Sequence, residues 1–202
     1  MTETPALTAR GLARQQALIA AATTLFLAKG YASVTVDEVV AIAGGSKTNI
    51  YRQFGGKEGL FAAVVDTLCA ELLSPLVQLQ LGDTPRAAGL MILGRTLLGQ
   101  LLTPRHIAFQ RMVTAASDQF PALMARWYEV GPRQSQRIIA GFLGGGPGCA
   151  AAAVLFHDML VTEAVSRAMM GTPMPPDAVA QHLQNAVALL LPGLAEICAP
   201  LE

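Results

Sequence analysis

The chain has 202 residues, of which 52% are hydrophobic and 14% are charged, and its formal net charge is +0. This composition excludes a disordered chain, because disorder needs low hydrophobicity and high net charge. A balanced charge argues against nucleic-acid binding only where it is evenly spread, and residues 1–60 are weakly basic whereas the remainder is slightly acidic.

The three cysteines, Cys69, Cys149 and Cys198, are far apart in the sequence and lie among apolar residues. This spacing indicates neither a disulfide framework nor a thiolate metal site, and buried thiols are typical of a reducing compartment. The N-terminus has no apolar signal core, and glycines interrupt the longest uncharged run, residues 138–156. We therefore expect a cytoplasmic protein without a membrane span.

Residues 1–9 have no periodic pattern and are expected to form a flexible N-terminal arm. A first helix is predicted over residues 9–29, with Leu18, Leu25 and Phe26 on its apolar stripe and Gly30 at its end. Arg10 and Arg14, at the start of this helix, are placed where they could contact DNA.

Residues 35–57 carry the pattern of two short helices joined by a glycine turn. Thr35 and Glu38 have the spacing of a capping box, which satisfies backbone N–H groups at a helix start, and Gly44 stands where that helix should end. Ser46 is a suitable N-cap for the second helix, in which Ile50 and Phe54 share the inward face. The segment therefore predicts a DNA-reading helix-turn-helix.

Lys47 and Lys57 each follow a predicted helix start, where the helix dipole disfavours a cation by roughly 0.3–1 kcal/mol. A DNA phosphate at those positions would bind both the free N–H groups and the ammonium. The alternative is that both lysines simply point into water.

The remaining sequence has helical periodicity interrupted by proline and glycine, and almost no strand signal. A long apolar helix over residues 57–73 follows the helix-turn-helix. The later helices are predicted over residues 75–80, 85–102, 104–116, 120–143, 149–170 and 176–198, with a break or kink near Pro192.

Residues 17–65 closely resemble the N-terminal DNA-binding domain of TetR-type transcriptional regulators. The matching features are Leu25-Phe26, Gly30-Tyr31, Thr35, Ala43-Gly44, Ser46, Ile50-Tyr51, Phe54, Lys57-Glu58 and Leu60-Phe61. Residues 109–143 resemble, less specifically, the C-terminal regulatory domain of one subgroup. The sequence departs from the family at Gly45, where Val or Ala is usual, and at Gly55-Gly56.

The resemblance implies an all-α fold with a three-helix helix-turn-helix head and a C-terminal helical domain for ligand binding and dimerisation. The implied divisions are an arm (1–9), a DNA-binding domain (10–56), a connecting helix (57–73) and an effector-binding and dimerisation domain (74–202). The last two long helices are implied to form a homodimer interface. Base-edge contacts are implied for Lys47, Thr48 and Asn49, and DNA-backbone contacts for Thr35, Tyr51, Gln53 and Lys57.

An effector cavity is also implied, and large adaptable side chains of the middle helices are its candidate lining, although each one taken singly is more typical of ordinary core. The candidates are Met91, Phe109, Met112, Met124, Trp127 and His157. His157, in a very apolar helix, is more typical of a structural histidine than of a ligand contact. No spacing indicates a catalytic group, a metal site or a cofactor.

These patterns predict a repressor that binds a palindromic double-stranded DNA operator as a dimer and is released by a small, largely apolar effector. One alternative is a helical small-molecule binding module that has lost DNA reading, which the weak basicity and the extra glycines would suit. An enzyme using the apolar cavity is a third hypothesis, and paired acid–base groups are missing from the sequence.

Overall fold

The computed structural model describes residues 9–198, and the all-α prediction is confirmed over that range, which contains helices and no strand. The predicted arm lies outside the described residues except for Ala9, which begins the first helix. The helices are α1 (Ala9–Ser33), α2 (Val36–Ala43), α3 (Lys47–Phe54), α4 (Lys57–Val77), α5 (Arg86–Leu101), α6 (Pro104–Ala116), α7 (Pro121–Val130), α8 (Pro132–Leu143), α9 (Gly146–Met169) and α10 (Pro176–Ile197).

The helix-turn-helix is formed by α2 and α3, and its capping box is present. The Glu38 backbone N–H donates to Thr35 Oγ1 at 3.2 Å, and the Thr35 backbone N–H donates to Glu38 Oε2 at 2.8 Å. Gly44, with φ of 74°, ends α2. Ser46 occupies the N-cap of α3 but its side chain makes no capping hydrogen bond, so the predicted side-chain cap is wrong. The backbone carbonyl of Ser46 accepts from Asn49 N–H instead.

The α1 helix extends beyond its predicted end. Gly30 leaves helical geometry with φ of 75°, as its position predicted, but helical backbone resumes and continues to Ser33. The chain then crosses only two residues before α2, so the three helices of the head follow one another closely.

The α4 helix continues through Pro75 to Val77, so the separate helix predicted over 75–80 is wrong. A proline lacks an N–H and crowds the preceding turn, which disfavours helix. Here Leu72, Leu73 and Leu76 are all buried, and packing of the last turn outweighs the lost bond. At the other end of α4, a Cβ added to Gly59 would lie 1.7 Å from the Phe54 carbonyl oxygen. The start of α4 therefore packs directly on the end of α3.

The single helix predicted over 120–143 is also wrong, because Gly131 divides it into α7 and α8. Gly131 has φ of −107° and ψ of −94°, and Pro132 then begins α8. A residue that precedes proline is disfavoured in helical geometry, whereas proline suits a first helical turn. The α10 helix, in contrast, crosses Pro192 without a break, between the buried residues Leu190 and Leu194.

Buried apolar residues form three clusters. The head cluster contains Leu18, Phe26, Ile50 and Phe61 and also takes in Phe109 from α6. The second cluster joins α5, α8, α9 and α10, and the third joins α4 to α5, α6 and α9. The head is therefore packed against the body through a shared core.

Many apolar residues of α9 and α10, the helices implied to form the dimer interface, are buried within this chain. Phe156, Leu160, Leu183 and Val187 all belong to the second cluster. Other apolar side chains of these helices are exposed, notably Leu155 at 56% and Leu189 at 75%.

Two helices, Lys57–Val77 and Gly146–Met169, are long and apolar enough to cross a membrane by length and composition alone. Both supply buried residues to the core clusters, as the core helices of a globular protein do. The Cys149 thiol donates to the Leu143 carbonyl oxygen at 3.4 Å, and burial raises the pKa of this thiol.

Candidate nucleic-acid interface and ligand cavity

The α3 helix presents its polar side chains outward, as its sequence predicted. Ile50 is fully buried and Phe54 packs on the head cluster. Of the residues proposed to contact DNA, Lys47, Thr48 and Tyr51 are exposed, and Asn49, Gln53 and Lys57 are half-buried. Asn49 Oδ1 accepts from Arg52 Nη2 at 3.0 Å, which connects two neighbouring polar side chains of this face.

Lys47 does not simply point into water. Its ammonium lies 2.8 Å from Asp37 Oδ1, and this hydrogen bond raises the pKa of Lys47. The pair joins the first turn of α3 to the first turn of α2, so Asp37 offsets the unfavourable dipole at the start of α3. Both side chains remain more than half exposed, which leaves Lys47 accessible to a second anion.

Lys57 is also engaged within the head. Its ammonium lies 4.2 Å from the centre of the Tyr31 ring and 3.4 Å from the Ala32 carbonyl oxygen. Burial lowers the pKa of Lys57. The ring and the carbonyl hold the ammonium at the start of α4, which limits its motion without neutralising it.

The Thr35 hydroxyl makes two contacts with Glu38. It accepts from the Glu38 backbone N–H, and it lies 3.0 Å from Glu38 Oε2. Lys29 contacts the same carboxylate at 2.7 Å. The Lys29 hydrogen bond, followed by those from Thr35, lowers the pKa of Glu38 to about 2. The head therefore keeps a carboxylate beside a residue proposed to touch the DNA backbone.

A basic groove of ≈ 660 Å³ runs between α1 and α3, and Arg10, Arg14 and Arg52 line it together with Asn49. The Arg14 side chain of α1 lies against the turn at Gly45. A Cβ added at Gly45 would lie 1.7 Å from Arg14 Nη2. The guanidinium thus occupies the space that a side chain at position 45 would need. The departure from the family at Gly45 brings a cation to the helix-turn-helix.

A cavity of ≈ 360 Å³, which we call the inner cavity, lies among α4, α5, α6, α7, α8 and α9. Phe109, Trp127 and His157 line it, so three of the proposed effector residues are brought together. Met91 lines a separate cavity of ≈ 430 Å³ between α5 and α10. Met112 and Met124 pack in the head cluster.

Two polar residues that the sequence did not predict at the ligand site, His106 and Gln136, also line the inner cavity. Their exposed fractions are 7% and 4%, and His106 Nε2 and Gln136 Oε1 have no hydrogen-bond partner among the described residues. Burial lowers the pKa of His106 to about 4. Each stands three residues before a buried apolar residue, Phe109 and Ile139, so helical spacing could have revealed them.

His157 Nδ1 donates to Asp158 Oδ1 at 2.9 Å, and the His157 ring is buried whereas the carboxylate is exposed. Across residues 9–198, no three His, Cys, Asp or Glu side chains are grouped so that they could hold a metal ion.

Two family models match the chain. The model of bacterial regulatory proteins of the tetR family matches residues 18–64, and the model of the AefR-like transcriptional repressor C-terminal domain matches residues 88–192. The second match alone covers more than half of the chain.

Among curated proteins, the DNA-binding transcriptional repressor TetR of Mycobacteroides abscessus is 41% identical over 58 residues. That similarity spans 29% of this chain and 30% of the relative, so it concerns less than a third of either protein.

Solved structures of similar fold cover nearly the whole chain. The flavonoid-responsive regulator FrrA is 26% identical with a TM-score of 0.76, covering 89% of this chain and 96% of that one. A TetR-family regulator from Mesorhizobium loti MAFF303099 has a TM-score of 0.74 at 24% identity, covering 92% of this chain and 98% of that one, and it shows the fold alone.

Proposed function

The chain belongs to the TetR family of DNA-binding transcriptional regulators, and we propose that it is a repressor that a small, largely apolar effector releases from DNA. In this proposal it binds a palindromic operator as a homodimer in the cytoplasm, and it needs neither a cofactor nor a catalytic group. Residues 10–56 read DNA, and the helix beginning at Lys57 connects this domain to the rest of the chain. The later helices bind the effector and the second copy of the chain.

The observation that carries this proposal is the position of Phe109. Its side chain is 1% exposed, lines the inner cavity and belongs to the head cluster. A ligand that shifts this ring must also repack residues of α1 and α4, because packed cores do not deform freely. The cavity and the DNA-reading head are thus joined by one contiguous core.

The effector would act by favouring one spacing of the two heads. A ligand with higher affinity for the non-binding arrangement lowers operator affinity by the same coupling free energy. The effector and the operator DNA would therefore each weaken the binding of the other. The curated and structural relatives support this direction, since one is named a repressor and another flavonoid-responsive.

A homodimer is supported by the exposed apolar side chains of the last two helices. Leu155 on α9 and Leu189 on α10 leave large aliphatic surfaces in water, and such surfaces commonly mark interfaces. A dimer also doubles the DNA contacts, provided that its two recognition helices lie about one helical turn of DNA, ~34 Å, apart.

A ligand-binding module without DNA reading is the second candidate, and the engagement of Lys47 and Lys57 inside the head favours it. A DNA phosphate must compete with Asp37 for Lys47 and with the Tyr31 ring for Lys57. The two candidates differ in salt-dependent DNA binding, which the module would lack.

The test is fluorescence anisotropy of the purified chain on labelled DNA from immediately upstream of its own gene, at two salt concentrations, beside an unrelated duplex. We expect selective, salt-sensitive binding. The matched variant Asn49→Ala should lose selectivity by roughly 1–3 kcal/mol while keeping most binding to the unrelated duplex, because Asn49 is proposed to read base edges. Absence of binding to either duplex at low salt would favour the ligand-binding module.

A further inference from the structure

We propose that the effector of the inner cavity is a neutral hydroxylated aromatic molecule, whose hydroxyl groups pair with Gln136 Oε1 and His106 Nε2. This inference rests on the effector role proposed for that cavity and adds the chemical class of the effector.

The two unpartnered polar atoms specify the polar part of the ligand. Buried polar atoms nearly always have a hydrogen-bond partner, and those that lack one need an explanation. Gln136 Oε1 is a pure acceptor and needs a donor, whereas His106 Nε2 donates or accepts according to its tautomer. The neighbouring Ser135 hydroxyl already donates to the Pro132 carbonyl oxygen at 2.8 Å. Both atoms are closed to solvent in this structure, so each side chain must turn toward the cavity before an O–H group can reach Gln136 Oε1 and a second oxygen can reach His106 Nε2.

The charge of the cavity wall specifies a neutral ligand. No Lys or Arg is among the described residues that line the inner cavity. Burial keeps His106 neutral near pH 7, since its pKa is lowered to about 4. A carboxylate would therefore be buried without a cation, which is strongly unfavourable. A cationic ligand gains little, because Asp158 is exposed and already contacts His157 at 2.9 Å.

The remaining wall specifies an aromatic body. Phe109, Trp127 and Tyr128 place three rings on the lining, and Leu97 and Val161 add aliphatic surface. Aromatic pairs gain more than their buried area alone provides. The volume of ≈ 360 Å³ lies near the small end of ligand pockets, which run from about 300 to 1,000 Å³, and this size suits one or two rings.

The inference is tested by isothermal titration calorimetry of the full chain with four probes that share one skeleton: a naphthalenediol, a naphthol, naphthalene and a naphthoate. We expect the diol to bind about tenfold or more tighter than naphthalene, and the naphthoate to bind weakest, because each matched buried hydrogen bond is worth up to about tenfold. Gln136→Met should reduce diol affinity about tenfold and leave naphthalene affinity unchanged.

Gln134→Met is the matched control, because Gln134 stands on the same helix, lies outside the inner cavity and accepts from Arg137 Nη1. It should bind all four probes as the unaltered chain does. Equal affinity for diol and naphthalene, tightest binding of the naphthoate, or no binding of any probe would overturn the inference. The comparison among probes uses the unaltered chain, so it stands even where a variant folds poorly.

A second measurement separates this inference from the proposed regulation. The diol is added to the DNA complex in the anisotropy experiment. Preferential binding of the diol without release of DNA would overturn the proposed coupling while supporting the ligand class. Release by a naphthoate and not by the diol would support the coupling and overturn the ligand class.

Discussion

The lysines of the head and the polar side chains of the inner cavity differ in their pairing, although the head also contains two unpartnered buried atoms, Arg14 Nε and Gln53 Oε1. On the head, the lysines are exposed or half-buried and already have partners: Lys47 has Asp37, Lys29 has Glu38, and Lys57 has the Tyr31 ring. In the inner cavity, His106 and Gln136 are buried, and each leaves one polar atom without a hydrogen bond among the described residues.

Because of this difference, the head and the cavity would gain binding free energy from different kinds of contact. DNA must exchange existing exposed ion pairs, each worth only about 0–1 kcal/mol, so the net gain per contact is small and depends on salt. A cavity ligand would satisfy buried atoms that otherwise carry a desolvation cost of about 1–3 kcal/mol each. In the proposed function, the head would therefore rely on many weak contacts with DNA, and the cavity on a few specific contacts with its ligand.

The largest expected effect is a pH dependence of stability from His106. Its folded-state pKa of about 4 lies below the ordinary value of 6.5. Above about pH 6.5 both states are neutral and the histidine has no effect. As the pH falls from 6.5 toward 4, His106 binds a proton in the unfolded state but stays neutral in the folded state. The free energy of unfolding therefore decreases by up to about 3 kcal/mol.

The variant His106→Phe should lose this slope. Urea unfolding of both proteins, at one protein concentration and at several pH values between 7 and 4, measures it. Parallel stability profiles would mean that His106 is better solvated than its burial indicates, and the contrast between head and cavity would fail.

Lys57→Ala should weaken binding to every duplex by about tenfold and reduce the salt slope by about 1, because Lys57 is proposed to contact one phosphate. Anisotropy titrations at several salt concentrations give both quantities. Lys57→Arg is the matched control and should keep the slope, since it keeps the charge over the Tyr31 ring. An unchanged slope in the alanine variant would show that Lys57 serves only the packing of the head.

The smallest effect is expected from Asp37→Asn, which removes the partner of Lys47 and one negative charge from the DNA-facing side. Binding to unrelated DNA should tighten about twofold to threefold, because an exposed ion pair costs little to break. Asp83→Asn, in the loop between α4 and α5, is a control for net charge. If both variants change the affinity for unrelated DNA equally, the ion pair with Asp37 does not weaken the interaction of Lys47 with DNA.

The helix-turn-helix could be predicted because its determinants are local. The Thr35 capping box and the Gly44 stop each act within a few residues, and both are present as expected. Where tertiary packing decides, prediction failed: buried Leu76 keeps α4 helical past Pro75. The division of α7 from α8 was visible as Gly131-Pro132 and was overlooked.

The ligand cavity could be predicted only in part. Helical spacing identifies inward side chains such as Phe109 and Met112, but it does not say which neighbours they meet. The structure places Phe109 at the inner cavity and Met112 in the head cluster. His106 and Gln136 could not be predicted as ligand contacts, because the absence of a hydrogen-bond partner depends on which residues surround them in the folded chain.

If α4 turns as a rigid body, the tight contact between Gly59 and the Phe54 carbonyl would carry α3 with it. Leu72, on the cavity wall, stands fifteen residues beyond Lys57, or about 22 Å along the helix axis at about 1.5 Å per residue. A tilt of about 5° at that point would move α3 by about 2 Å. In a symmetric dimer the two displacements add to about 4 Å, a tenth of the ~34 Å between successive major-groove faces. A small rotation of α4 would thus become a mismatch with the pitch of DNA.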